Sequence, residues 1–176
     1  SFSNVSGRLV AQYAMNDDTN FYASYTTGYR AGGFNGGNFD RSTMTGDEYT
    51  EETIGSLEFG MKSTMMDGRM RLNAAVFSYD YDDVQVSVIK SDDGGVSTDV
   101  VNAASFGTEG LEPDLAFLVT DTMTVRAQYA YTDREYDDFP SYQGLAIQPT
   151  QGLTPDNAYN VVMDWNMLNF GSNSID

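Results

Sequence analysis

The sequence predicts an all-β protein, an antiparallel up-and-down meander of about seven strands that forms an open curved sheet, part of a transmembrane β-barrel. Three observations lead there. Most segments alternate apolar with polar residues, and a strand turns that alternation into two chemically different faces. The connections run short, long, short, long along the chain. Successive antiparallel strands reverse direction, so the short turns gather at one end and the long loops at the other. Finally, the 40% apolar content leans on 12 Tyr and 10 Phe, while no run approaches the roughly 20 residues of a membrane helix. A secreted β-sandwich would alternate too, but it has no reason to sort its loops by length. It stands as the second architecture.

The first strand is expected over about 4–13, with Val5, Leu9, Ala11 and Tyr13 on one face and Asn4, Ser6, Arg8 and Gln12 on the other. A turn cluster at 16–20 follows. The second strand sets Phe21, Ala23, Tyr25, Thr27 and Tyr29 against Tyr22, Ser24, Thr26, Gly28 and Arg30, then runs into a glycine-rich loop reaching about residue 50. The third, about 53–62, opposes Leu57, Phe59 and Met61 to Ser56, Glu58, Gly60 and Lys62. An Asp67-Gly68 turn leads into the fourth, about 69–89. There Met70, Leu72, Ala74 and Val76 share a parity with Val84, Val86 and Val88, while Phe77, Tyr79 and Tyr81 take the opposite one. Either the rings line the polar face in mid-strand or a bulge shifts the register.

A long connection is expected at 90–98 and a fifth strand over about 100–119, the least regular, with Pro113 inside it. The sixth is the cleanest, with Met123, Val125, Ala127, Tyr129 and Tyr131 against Thr124, Arg126, Gln128 and Thr132. After a long loop at 137–156, the seventh alternates Tyr159, Val161, Met163, Trp165 and Met167 with Asn160, Asp164 and Asn166. Tyr13, Phe21, Phe59, Tyr129, Tyr131, Tyr159 and Trp165 share the outward parity and suit an aromatic girdle.

Composition excludes several function classes. Cys and His are absent, which removes disulfides, thiol nucleophiles, the usual zinc sites and Ser-His-Asp catalysis. A net charge of −17 opposes binding to a nucleic-acid backbone. No nucleophile–base pair or paired acid cluster stands out, so no catalytic residue, cofactor or metal site is expected. The acidic groups Asp47, Glu48, Glu51 and Glu52, then Asp80, Asp82 and Asp83, then Asp92 and Asp93, then Asp133, Glu135, Asp137 and Asp138 fall at loops and strand ends. They read as solvated rims that discourage edge pairing, with a cation-binding role as the alternative. The run 91–96 lacks the ligand spacing and terminal Glu of a calcium loop and reads as a hairpin tip.

The stretch Tyr22-Ala-Ser-Tyr-Thr-Thr-Gly-Tyr-Arg-Ala-Gly-Gly-Phe-Asn35 resembles the barrel of TonB-dependent outer-membrane receptors where a strand enters an extracellular loop. Residues 49–63, with an aromatic, an acidic pair and then Glu58-Phe-Gly-Met-Lys62, are similar to the family's next strand. Residues 67–77 resemble the following hairpin, Tyr81-Asp-Asp-Val-Gln-Val86 its upper end, and Asn102-Ala-Ala with Gly110-Leu-Glu112 the succeeding strand. Pro113 departs from the family pattern and implies an edge, bulge or distortion.

The resemblance implies a barrel of about 22 strands around an N-terminal plug. Residues 1–176 are therefore expected to be a partial barrel domain without plug, TonB-contacting box or terminal strands. An odd count of about seven strands also does not close a bacterial single-chain barrel. The chain opens Ser-Phe-Ser-Asn without Met or secretory signal, so its start is expected to be missing, and a cytoplasmic reading does not follow. The implied function is energised import of a scarce nutrient, a ferric siderophore or similar chelate. The implied partners are outer-membrane lipid, the receptor's own plug, a TonB-type energy-coupling protein and a small-molecule ligand, in a Gram-negative outer membrane. A passive porin-like or structural barrel and a secreted all-β binding module are the competing functions.

On that reading the ligand candidates lie on extracellular loops. They are Arg30, Asn35, Asn38, Phe39 and Arg41 in the glycine loop, and Tyr142, Gln143 and Gln148 in the loop at 137–155. Glycines that merely let the chain turn back at the rim are the plainer reading. Arg8, Glu58, Lys62, Arg126 and Arg134 share the inward parity, because an Arg facing lipid at midplane costs about 2–4 kcal/mol. Pairing with one another across the wall is the expected role of these charges; contact with ligand or plug is the alternative.

Overall fold

Seven strands form one antiparallel sheet whose spatial order is their chain order. They are β1 Gly7–Ala14, β2 Thr19–Arg30, β3 Glu52–Met65, β4 Met70–Asp92, β5 Gly95–Thr120, β6 Met123–Asp138 and β7 Asn157–Trp165. The structure, a computed structural model, describes residues 4–36, 47–92, 95–138, 141–142, 145–146 and 155–166. Two short pairs sit in the connections, Gly33–Phe34 with Glu48–Tyr49 and Ser141–Tyr142 with Leu145–Ala146. β1 and β7 each have one neighbour, so the sheet is open at both sides.

The register converts the sequence alternation into two continuous faces. One face carries the row Ala11, Ala23, Phe59, Val76, Leu111 and Tyr131, each paired with the next strand's member. Leu9, Tyr25 and Leu57 form a second row above it, and Met61 pairs with Ala74 below. The opposite face carries Asn20, Lys62, Asn73, Asp114, Gln128 and Asn160 as one polar row across the adjacent strands. Asn73 Nδ2 donates to Asp114 Oδ1 at 3.1 Å within it.

Among the described residues no second layer covers the apolar face. Among the described residues the only buried apolar side chain is Ala104, while Phe59 is 51% and Val161 65% exposed. A sandwich would bury these between sheets, so that architecture is overturned. On β6 the apolar parity spans Met123 to Tyr131, nine residues. At about 3.3 Å each, and tilted by about 40°, they cover roughly 23 Å along the membrane normal, close to the ~25 Å apolar band of a membrane barrel.

β4 resolves the parity conflict. Its pairing with β3 runs unbroken from Met65↔Met70 to Thr53↔Asp82, so Phe77, Tyr79 and Tyr81 lie on the polar face with Glu58 and Lys62. A bulge exists, but only beyond the rings, where the β4–β5 register shifts between Tyr81 and Val84 and again between Val84 and Gln85. Asp83 there adopts φ 54°. Residues 90–92 and 95–98 of the expected long connection are instead strand: β4 and β5 stay paired as far as Asp92↔Gly95. The two strands outrun β3 by about 30 Å, since pairing with β3 ends at Asp82 and β4 runs on to Asp92 at about 3.3 Å per residue. The calcium-loop residues 93–94 lie outside the described residues.

Pro113 is neither at an edge nor in a bulge. It pairs with Ala74 of β4, and on the β6 side the paired residues stop at Leu111↔Tyr131 and resume in the same register at Asp114↔Gln128. The missing N–H thus opens the ladder on one side only. Pro113→Ala should change the intact barrel's unfolding free energy by less than about 1 kcal/mol. The regained bond, about 1 kcal/mol, is largely offset by the freer unfolded chain; denaturant titration in lipid vesicles measures it.

The short turns are built for tightness. Asn16 Oδ1 accepts the Asp18 N–H at 2.9 Å, and Met66, Asp67 and Gly68 all take positive φ, 57°, 55° and 85°, in the β3–β4 turn. Arg69 staples this turn to the β5–β6 turn, donating to the Leu118 carbonyl at 3.0 Å and reaching Asp121 at 3.2 Å.

Candidate functional site

The polar face concentrates aromatic and cationic groups in its half nearer the long loops. Phe77 stacks on Tyr79 with ring centroids 4.7 Å apart, and Tyr81 stacks on Phe106 of β5 at 4.6 Å. The Arg134 guanidinium, on β6, sits 5.2 Å from the Phe106 centroid. Cross-strand register explains the grouping, because Tyr79 faces Thr108 and Thr108 faces Arg134. Thr108 is 5% exposed, and its Oγ1 has no hydrogen-bond partner among the described residues. Such a hydroxyl is costly to leave unmet, about 1–3 kcal/mol.

Glycines let these rings lie flat on the sheet. The Phe77 ring occupies the space above Gly110, where a Cβ would overlap it and the Tyr131 carbonyl oxygen. The Tyr22 ring likewise covers Gly60. Lys62 Nζ lies 5.8 Å from the Tyr22 centroid.

The other inward charges sort differently. Arg126 forms an ion pair with Asp164 on β7. Arg8 and Glu58 occupy the same face, opposite Thr26 and Ser24 respectively. Arg126 thus meets Asp164, which is not one of the five charges expected to pair with one another, and Lys62 and Arg134 are placed over rings.

At the rim, Arg30 ends β2, exposed, with Glu52 at 3.9 Å. Asn35 is buried, and its amide bonds both polar atoms of the Val100 backbone, donating to the carbonyl at 2.7 Å and accepting the N–H at 2.8 Å. Tyr142 belongs to the short pair with Leu145. Asn38, Phe39, Arg41, Gln143 and Gln148 lie outside the described residues. Phe106 and the rings of β4 form the densest cluster, yet none was a site candidate in the sequence. Their opposed parity was the available signal.

A single antiparallel sheet with one apolar and one polar face, short turns at one end and projecting strands at the other, has the architecture of a stretch of β-barrel wall. The chain matches the family "TonB dependent receptor-like, beta-barrel" over residues 1–174, and it belongs to that family. This is a family of Gram-negative outer-membrane receptors and transporters, not of enzymes. Among solved structures, the chain is similar to the ferric yersiniabactin uptake receptor of Yersinia pestis, with TM-score 0.65 and 17% identity over 90% of this chain and 22% of that one. It is also similar to the alcaligin outer-membrane receptor of Bordetella pertussis, with TM-score 0.59 and 18% identity over 94% and 27%. The ferric-catecholate import receptor of E. coli K12 aligns with TM-score 0.61 and 20% identity over 92% and 22%. At these identities the likeness is one of fold, and the chain spans about a quarter of those receptors' length.

Proposed function

We propose that this chain is part of the barrel of an energised outer-membrane receptor that takes up a ferric siderophore or a similar metal chelate. The observation that carries this reading is the inner-face patch of Phe77, Tyr79, Tyr81 and Phe106 with Arg134 over it, set in a barrel wall of this family. Flat rings and a guanidinium suit a large, partly aromatic, anionic chelate, since both make face contacts and the cation offsets charge. Further strands, a plug and a TonB-type partner belong to the same proposal, as does residence of this chain in the outer membrane.

Uptake of radiolabelled iron chelates by iron-starved cells carrying the intact receptor tests it. Uptake should vanish when the inner-membrane coupling protein is deleted; coupling-independent entry would make the protein a passive channel. Arg134→Leu should weaken chelate binding roughly tenfold, the value of a desolvated cation–π contact of about 1.4 kcal/mol, and leave barrel assembly intact. Titration with the purified receptor measures this.

A further inference from the structure

Three carboxamides tie the glycine loop to the projecting β4–β5 hairpin. Asn35 bonds both backbone polar atoms of Val100. Gln85 Nε2 donates to the carbonyls of Ala31 and Thr50, each at 3.0 Å, while the Gln85 N–H donates to Glu52 Oε2 at 2.9 Å. Asn102 accepts the Thr50 N–H at 2.7 Å and donates to the Thr50 carbonyl at 3.1 Å. It also donates to the carbonyl of Asp83 at 2.6 Å, the positive-φ residue of the bulge. Every one of these amides thus bonds main chain across a separation of at least 35 residues at some point, where a β-ladder would otherwise be needed.

A Gln or Asn side chain presents a donor and an acceptor side by side, the same pair a strand edge offers. That is why one amide can stand in for a bridge where β4 has run past the end of its pairing with β3. Gln85 and Asn102 sit within otherwise valine-rich runs, Val84-Gln85-Val86 and Val100-Val101-Asn102.

We propose that Asn35, Gln85 and Asn102 lock residues 31–36 and 47–52 and the β4–β5 projection into one body, so that these segments of the receptor's outer rim present one composite capture surface. This rests on the receptor reading for what is captured, but the lock itself does not.

Hydrogen exchange on the full-length receptor in detergent micelles, read by peptide mass, separates the two. In Asn102→Leu, exchange should rise about tenfold at 47–52, as expected when bonds of this kind are lost, and rise in parallel at 31–36 and at 98–101, although the Asn102 amide bonds Thr50 and Asp83. Gln85→Leu should release the same three segments. Residues 57–61 of β3 must stay protected in both variants, which shows the barrel is folded. Loss confined to 47–52 and 83–85, with Asn35 and Val100 as protected as before, would overturn the proposal. The same variants are then titrated with a ferric tris-catecholate and a ferric hydroxamate as probes. Released segments with no binding of either probe, even by the unaltered receptor, would sink the siderophore reading and leave the lock standing.

Discussion

Replacing Ala74 with arginine should destabilise the barrel by about 2–4 kcal/mol, whereas replacing Ala75 should change it by less than about 1. The two alanines are adjacent on β4 and differ only in face. Ala74 pairs with Met61 and Pro113 on the apolar side, and Ala75 pairs with Gly60 and Glu112 on the polar side. With the apolar face turned to lipid, as the proposed function requires, an arginine at 74 would place a guanidinium in hydrocarbon, where snorkelling from mid-strand is a long reach. At 75 it meets water and a neighbouring carboxylate. Reversible denaturant unfolding of the intact receptor in lipid vesicles reads both. Equal losses at the two positions would remove the assignment of the faces, and with it the membrane placement of the sheet.

Gly110→Val should destabilise by about 1–3 kcal/mol through overpacking. The Phe77 ring lies over Gly110, and the Tyr131 carbonyl oxygen closes the other side of the space a Cβ would take. The ring is the movable neighbour, so it should swing away and give up its stack on Tyr79. A double-mutant cycle with Phe77→Ala separates the two obstacles. If the ring is the main obstruction, Phe77→Ala recovers most of the loss. If the main-chain oxygen dominates, it recovers little. No loss in Gly110→Val itself would mean that the flat ring over the glycine is not a feature of the folded wall.

Much of the fold was legible because strand alternation has a period of two and depends only on local sequence. Leu57, Phe59 and Met61 against Glu58, Gly60 and Lys62 need no partner to declare two faces. The sorted connections were equally local, since the Asn16 and Asp67-Gly68 turns carry their own chemistry. The connection at 90–98 was misjudged for the same reason. Its Ser-Asp-Asp-Gly-Gly run looks like loop, and only the cross-strand pairing of Lys90 with Ser97, Ser91 with Val96 and Asp92 with Gly95 makes its two sides strand.

The candidate site was legible only in part. The inward parity of Arg126 and Arg134 could be read, but not that one meets Asp164 and the other Phe106, because β6 touches different strands on its two sides. Asn35 looked like an exposed donor in a glycine loop. In the fold it is buried and bonded to a residue 65 positions away.

By itself, then, the sequence determined the strands, their faces and the end at which the long segments gather, since each follows from alternation and turn chemistry within a few residues. The tertiary structure alone decided what the side chains on those faces do. Register brings Phe77 over Gly110, Arg134 over Phe106 and Asn102 to Thr50, and register is a property of pairs of strands. The same logic applies to Pro113, whose missing N–H opens one ladder and leaves the other closed, a distinction that exists only once both neighbours are in place.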